Sequence, residues 1–264
     1  MERAIHHEKL LGLSERFRHD WIRAAKELLG IDLTNQQKLV VESVQNGGSM
    51  TTVTTPAGVG MHTALSAICI LHTVLYPNAQ TVLASPPLPT KDRRFTLRRL
   101  NAHMQMQWGH ALAAAPFLND IFKLTKNSFE HRHDRCHAAC FKTYQPGNEE
   151  ALAGFCSENS LFIITDAASV ADSAYRVLLG GMLSENARML LLSVPSTDDR
   201  DGFFYRSHHQ RALRDGNPHG IYSAIKLSAE ESPLVHPSYL SIKEQEYGGR
   251  ESAKYRTHIL GEFI

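Results

Sequence analysis

A Gly-rich turn between a β-branched run and a helical run constrains this chain more than any other feature of its sequence. Residues 50–55 are short and β-branched, and they are followed by Pro56-Ala57-Gly58, which predicts a strand. A helix is predicted over 63–75. A strand that passes through glycines into a helix has the layout of a phosphate-binding loop, because backbone N–H groups and the helix dipole can hold an anion there.

Strands and helices alternate along much of the chain. Two continuous apolar runs of strand length, 161–165 and 189–193, suit strands that are buried on both faces. The other predicted elements are a strand over 81–84, a basic helix over 93–106 and a helix over 173–182. This alternation predicts an α/β fold with a mostly parallel central sheet and helices on both faces.

The N-terminal part and one internal segment depart from this alternation. One amphipathic helix is expected over 14–30, and a second over 34–45 with Thr34 as its N-cap. The segment 116–150 is polar and His-rich and interrupts the α/β pattern.

Composition limits the classes of function. The 264 residues carry a formal net charge of +1, so a contact with nucleic acid must rest on local clusters rather than on a global basic field. No apolar run approaches the roughly 20 residues that a membrane span needs, and the polar N-terminus has no signal-peptide core. The four cysteines do not make a disulfide framework in a chain of this length. We therefore expect a protein of the reducing cytosol, without a membrane segment.

The phosphate-loop sequence departs from the usual pattern at two positions. A lysine normally reaches the β- and γ-phosphates, and the Ser or Thr after it binds Mg²⁺. Here Met61 holds the lysine position and His62 the hydroxyl position, while Thr63 comes one residue late, about 100° round the helix. A nucleotide site and a purely structural turn both stay open. The candidate nucleotide-binding residues of the turn are Thr55, Gly58, Val59, Gly60, Met61, His62 and Thr63.

An aspartate follows the apolar run at 161–165. In P-loop ATPases such an Asp holds Mg²⁺, and a Glu commonly follows it and polarises the attacking water. Asp166 is thus the candidate Mg²⁺ ligand, but Ala167 stands at the usual Glu position. The sequence offers no candidate catalytic residue.

Several segments in a fixed order resemble the ATPase half of the terminase large subunit of tailed phages. They are Thr34-Asn35-Gln36-Gln37, Thr55 to Ala64, Gln80 to Pro86, Leu161 to Ser169, Asn186 to Ser196 and Tyr255 to Phe263. The resemblance implies a P-loop NTPase-like domain over 1–264. Its parts would be a helical lead-in (1–46) in which Gln37 reads adenine, a P-loop core (47–230), and a tail (231–264) that resembles the joint to a nuclease half.

The resemblance also implies cofactors and partners. The cofactors would be ATP and Mg²⁺, and the partners would be double-stranded DNA, the portal or other packaging subunits, and further copies of the chain, in the cytoplasm of a bacterial host cell. Because the lysine, hydroxyl and Glu positions are all replaced while the apolar pattern is kept, we predict a pseudo-ATPase with a structural or regulatory role in viral DNA packaging. Two alternatives stay open. One is an active packaging motor in which His62 or a neighbour's cation substitutes, and the other is an inactive prophage remnant.

Two further clusters admit a functional interpretation. His133, Cys136, His137 and Cys140 would share one face of a helix and could hold zinc, but the lack of a second well-spaced ligand pair favours a polar surface segment. The basic run on the predicted 93–106 helix could contact DNA phosphates, with a solvated helix face as the alternative. The candidate DNA-contact residues are Arg93, Arg94, Arg98 and Arg99.

Overall fold

The computed structural model describes the backbone of residues 2–86, 90–143, 147–195 and 201–264, with all of their side chains except those of 2, 3 and 90–97. The helices are α1 (Glu2–Phe17), α2 (Trp21–Glu27), α3 (Asn35–Gln45), α4 (Met61–Leu75), α5 (Thr90–Ala114), α6 (Leu118–Ile121), α7 (Asp172–Leu179), α8 (Phe203–His208), α9 (Pro237–Tyr247) and α10 (Ala253–His258). The strands are β1 (Met50–Thr54), β2 (Gln80–Ser85), β3 (Phe122–Leu124), β4 (Ser128–His131), β5 (Ala138–Thr143), β6 (Ser160–Thr165), β7 (Arg188–Ser193) and β8 (Ser223–Lys226).

The strands form one sheet in the order β3-β4-β5-β2-β6-β7-β1-β8. The neighbouring pairs β5-β2, β2-β6, β6-β7, β7-β1 and β1-β8 are parallel. The pairs β3-β4 and β4-β5 at one edge of the sheet are antiparallel. The predicted α/β fold with a mostly parallel sheet is therefore confirmed.

The two apolar runs occupy the middle of the sheet as β6 and β7, and every residue of both strands is buried. Alternate side chains face opposite sides, because successive residues of a strand point to opposite faces. Ile163 and Leu190 pack in a core cluster with α1 to α5, whereas Phe162 and Leu191 pack in a second cluster with α7 and α8. Helices thus cover both faces, which explains why these strands are apolar throughout.

The expected single helix over 14–30 is wrong, because the chain breaks between α1 and α2. Asp20 begins α2 as its N-cap, and its side chain accepts a hydrogen bond from the backbone N–H of Arg23 at 2.9 Å. A side chain that satisfies an N–H of the first turn favours the start of a new helix at that point. The N-cap at Thr34 is confirmed, and it forms a reciprocal capping box with Gln37.

The predicted helix that would carry the possible zinc cluster is wrong, because His133, Cys136, His137 and Cys140 do not lie on a helix. Cys140 lies within β5, and His133 and Cys136 lie in the connection between β4 and β5. His137 is buried and its Nε2 lies 2.7 Å from the carbonyl oxygen of Thr73, whereas Cys136 is exposed. Within the described residues, no three His, Cys, Asp or Glu side chains are grouped so as to hold a metal ion.

Among the described residues, no helix is both long enough and apolar enough to span a membrane.

Candidate nucleotide-binding cleft

A cleft of about 630 Å³ lies at the carboxyl edge of the parallel strands. The turn after β1, Asp166 after β6 and the end of β7 line it, and α5 contributes Arg99 and His103. β7 lies between β1 and β6 in the sheet, so the turn and Asp166 face each other across one strand. Open α/β sheets bind their ligands at this edge, outside the carboxyl ends of the strands.

The glycines of the turn have conformations that suit glycine alone. Gly58 and Gly60 have φ values of 92° and 72°, in the left-handed region, and Gly60 is the N-cap of α4. A Cβ atom on Gly58 would lie 2.5 Å from Cγ2 of Val235, and one on Gly60 would collide with the side-chain amide of Gln37. Close packing from outside therefore fixes the path of the loop.

The carbonyl groups of the loop are hydrogen-bonded by side chains from two other segments. Gln37 Nε2 donates to the carbonyl oxygens of Val59 and Gly60 at 3.1 and 3.0 Å, and Ser232 Oγ donates to that of Gly58 at 3.1 Å. In a trans peptide the C=O and the following N–H point in opposite directions. The N–H groups of 59, 60 and 61 therefore point away from these donors, as an anion-binding nest would require.

Among the described residues, the side-chain amide of Gln37 forms hydrogen bonds with backbone groups only. Its Oε1 accepts from the N–H of Thr34 at 3.0 Å, in addition to the two loop bonds of Nε2, and the residue is only 2% exposed. The structure thus places the predicted adenine-side glutamine against the loop, as a support of the loop backbone. Ser232 was not predicted as part of the site, because nothing in its local sequence indicates a contact with a loop about 170 residues earlier.

The two substituted positions of the loop carry no positive charge. Met61 is 9% exposed and packs in the core cluster of α1 to α5. The ring of His62 stacks on that of His103, with centroids 6.4 Å apart. Burial lowers the pKa of His62, and nearby His103 and Arg99 lower it further. His62 is therefore neutral near pH 7, because its ordinary pKa already lies below that value.

Thr63 contacts α5. Its Oγ1 lies 3.4 Å from Nδ1 of His103, and its carbonyl oxygen accepts from Gln107 Nε2 at 3.1 Å. Arg99, His103 and Gln107 are spaced by four residues, so they lie on one face of α5, which faces the start of α4. That spacing is a signal in the sequence that could have identified this wall of the cleft.

The structure separates the candidate DNA-contact residues. Arg99 lines the cleft, and Arg98 is exposed beside it. The side chains of Arg93 and Arg94 lie outside the described residues.

Asp166 and Ala167 occupy different environments although they are adjacent. Asp166 lines the cleft with a φ of 53°, and burial raises the pKa of its carboxyl group. Ala167 is 1% exposed, packs in the core cluster of α7 and α8, and accepts a hydrogen bond from Tyr175 Oη at 2.7 Å through its carbonyl. Its methyl group therefore belongs to the core. A single carboxylate with phosphate oxygens and water is a donor set that suits Mg²⁺, so Asp166 fits a Mg²⁺ ion bound together with nucleotide phosphates.

One strand of the parallel sheet, β1, passes through a Gly-rich turn into a helix, and an aspartate follows β6, two places away in the sheet. Together these features define a P-loop NTPase-like domain. The chain is 39% identical over 248 residues to the "Probable terminase, large subunit" of Enterobacteria phage P7, and the match covers 94% of this chain and 49% of that protein. No family model matches the chain. Over nearly its whole length the chain is thus homologous to a phage terminase large subunit, and it spans about half the length of that relative.

Solved structures agree on the fold. The large terminase of bacteriophage HK97 matches with a TM-score of 0.66 at 13% identity, over 94% of this chain and 55% of that one. The large terminase ATPase domain of Thermus phage P74-26 matches with a TM-score of 0.61 at 13% identity, over 90% and 97%. The large terminase of a thermophilic bacteriophage in complex with ATP-gamma-S matches with a TM-score of 0.58 at 8% identity, over 88% and 53%. The fold is therefore that of the large terminase ATPase domain.

Proposed function

We propose that this chain binds ATP in the cleft without efficient hydrolysis and has a structural or regulatory role in phage DNA packaging. The observation that carries the proposal is the chemistry of the loop at 61 and 62. A buried methionine and a histidine with a lowered pKa stand where the phosphate charge would be neutralised. Phosphoryl transfer depends on that neutralisation and on the positioning of the phosphates.

The expected loss of rate is large. Removing one preorganised group of this kind typically costs about 10²–10³ in rate. The lysine, the Mg²⁺-binding hydroxyl and the glutamate are replaced by Met61, His62 and Ala167. Even without full additivity, three such losses leave little turnover.

Binding of nucleotide is supported by groups that the substitutions leave in place. The N–H groups of 59, 60 and 61 and the start of α4 offer donors to a phosphate without a side-chain charge. Asp166 lines the same cleft and supplies a carboxylate for Mg²⁺. The related fold of the thermophilic phage large terminase in complex with ATP-gamma-S supports the same assignment.

An active motor is the second candidate, and the position of Arg99 favours it. Arg99 lines the cleft from α5 and could replace the missing lysine charge within the same chain. An inactive prophage remnant is the third candidate, for which neither binding nor turnover is expected. Double-stranded DNA, portal or other packaging subunits, and further copies of the chain are the partners that we propose, in the bacterial host cytoplasm.

Steady-state ATP hydrolysis with and without double-stranded DNA separates the active motor from the other two candidates, and equilibrium binding of ATP separates those two from each other. The natural chain is compared with an M61K/H62T double variant and with Arg99→Gln. We expect no turnover above background in the natural chain and a measurable gain in the double variant. DNA-stimulated turnover in the natural chain that Arg99→Gln abolishes would instead establish the active motor.

A further inference from the structure

A second polar pocket lies at the opposite edge of the sheet from the cleft. It has a volume of about 240 Å³ and is bordered by the segments that lead into β1, β2, β6 and β7. Arg188 begins β7 and lines this pocket, whereas Ser193 ends β7 and lines the cleft. The two pockets are therefore separated by the length of a strand, roughly 16 Å at about 3.3 Å per residue.

Arg188 brings a buried positive charge to the pocket. It is 2% exposed, and its Nη1 and Nη2 donate to the carbonyl oxygens of Asn186 at 2.9 Å and Gln45 at 3.2 Å. Its guanidinium carbon lies 4.5 Å from the centroid of the Tyr76 ring. Its Nε is buried and has no hydrogen-bond partner among the described residues. A buried donor without an acceptor costs free energy, so Nε is unusual and requires an explanation.

Arg18 lines the same pocket from the break between α1 and α2. Its Nε is also buried, and it too lacks a hydrogen-bond partner within the part of the chain that the structure describes. Neither guanidinium forms an ion pair with a carboxylate in the described ranges, although other arginines of the chain do. Glu158 is the one carboxylate among the residues that line the pocket, and it is exposed.

We propose that this pocket binds a phosphate-sized oxyanion, held by the guanidinium groups of Arg18 and Arg188, which both line it. Hydrogen bonds from a guanidinium to an oxyanion are charge-assisted and roughly twice as strong as neutral ones. The planar guanidinium matches the oxygens of phosphate. The pocket volume of about 240 Å³ is smaller than the roughly 300–1,000 Å³ of sites for drug-sized ligands. It therefore suits a group of phosphate size together with water.

Electrostatics favour an anion over a neutral ligand. Burial lowers the pKa of Arg188, and the interaction with the Tyr76 side chain offsets only part of the loss of hydration. A bound oxyanion would supply a full counter-charge beside the two guanidinium groups. Two sources have the required chemistry, namely free phosphate and a phosphodiester of nucleic acid.

The Nε–H signals of the two arginines, observed by NMR on the chain with ¹⁵N-labelled arginine, test the site directly. Arg18→Gln and Arg188→Lys assign the two signals. Inorganic phosphate is titrated against sodium chloride of equal ionic strength, and a short DNA duplex forms a further arm. We expect both signals to shift together with one Kd for phosphate and not to shift with chloride.

The variants separate this pocket from the cleft. Arg18→Gln should raise the Kd for phosphate about tenfold or more, because one charge-assisted hydrogen bond is lost. Glu158→Gln should lower it, because a nearby negative charge is removed. Gly60→Ala, which disturbs the cleft, should leave it unchanged.

Signals that do not respond to phosphate, or that respond equally to chloride, would overturn the assignment, as would an unchanged Kd in Arg18→Gln. If the duplex shifts the signals at a lower phosphate concentration than inorganic phosphate does, the natural ligand is a nucleic-acid phosphodiester. The reverse order assigns free phosphate.

Discussion

Gln37 Nε2 lies 3.0 Å from the carbonyl oxygen of Gly60 and holds the last peptide of the phosphate loop in place. A side chain on α3 thereby sets the direction of the next backbone N–H, which points away from Gln37. The proposed anion site would consequently depend on a residue behind the loop as well as on the loop itself.

Replacing Gln37 should therefore weaken nucleotide binding and the fold together. Gln37→Ala removes the donor to Val59 and Gly60 and the capping-box acceptor for Thr34. We expect a loss of about 2–3 kcal/mol in the free energy of unfolding and at least a tenfold rise in the Kd for ATP. Urea unfolding and equilibrium binding of a fluorescent ATP analogue measure the two effects.

The neighbouring glutamine provides the matched control. Gln36 is also buried, and its amide bonds the backbone N–H and carbonyl of Ser228 instead of the loop. Gln36→Ala should lose a similar amount of stability and keep its affinity for nucleotide. Equal losses of affinity in both variants would mean that Gln37 has no specific role in the loop.

The second prediction concerns Gly60. A Cβ there would collide with Gln37 and lie 2.7 Å from Cδ1 of Leu234, at a φ of 72°. Gly60→Ala should destabilise the fold by about 1–3 kcal/mol and reduce nucleotide binding. Gly109 has open space around its Cβ position and lies within α5, so Gly109→Ala should raise the free energy of unfolding by about 0.5–1 kcal/mol. Stabilisation by both substitutions would contradict the described loop conformation.

The buried position of Ala167 makes a third prediction. A glutamate at 167 would place a carboxylate in the core cluster of α7 and α8, and burying an unpaired charge is costly. Ala167→Glu should therefore cost about 2–4 kcal/mol and should not improve ATP turnover when added to M61K/H62T. The exposed Ser169 in the same turn provides the control, since Ser169→Glu should have little effect on stability. A stable, more active Ala167→Glu variant would show that the turn rearranges to direct the side chain into the cleft.

The sequence predicted the centre of the sheet because that information is local. Two uninterrupted apolar runs are required where β6 and β7 are covered on both faces, and a Thr followed three residues later by Gln specified the start of α3. The break at Asp20 was missed because the apolar stripe continues across it: Phe17 and Trp21 both remain buried.

Parts of the site could not be predicted for a different reason. Ser232 reaches the loop from far along the chain. The spacing of Arg99, His103 and Gln107 marks one face of α5 in the sequence, but it does not specify the contact of His103 with Thr63. Such contacts are set by tertiary packing, which no local pattern specifies. The substituted residues of the loop were visible in the sequence, but the environment of Ala167 became clear only from the packing around it.

The fourth prediction is a dependence of stability on pH. Burial, with a smaller effect of His209, lowers the pKa of His208 to about 4. Since its ordinary pKa is about 6.5, the unfolded chain binds the proton more readily between these values. The contribution of His208 to stability is thus present above about pH 6.5 and is lost as the pH falls toward 4.

Urea unfolding between pH 7.5 and 5 checks this direction. The buried His72 and His137 have lowered pKa values and act in the same sense, whereas the raised pKa of Asp166 acts in the opposite sense at lower pH. His208→Asn should have a shallower pH dependence than the natural chain. An identical slope in both would exclude His208 as a contributor.

Our proposal for the cleft combines retained nucleotide binding with the loss of efficient turnover. Equilibrium dialysis of the natural chain against radiolabelled ATP with Mg²⁺, followed by separation of the nucleotide in the protein compartment, tests it most directly. We predict saturable enrichment of intact ATP that Gly60→Ala reduces. Conversion of the enriched nucleotide to ADP, or the absence of any enrichment, would contradict the account.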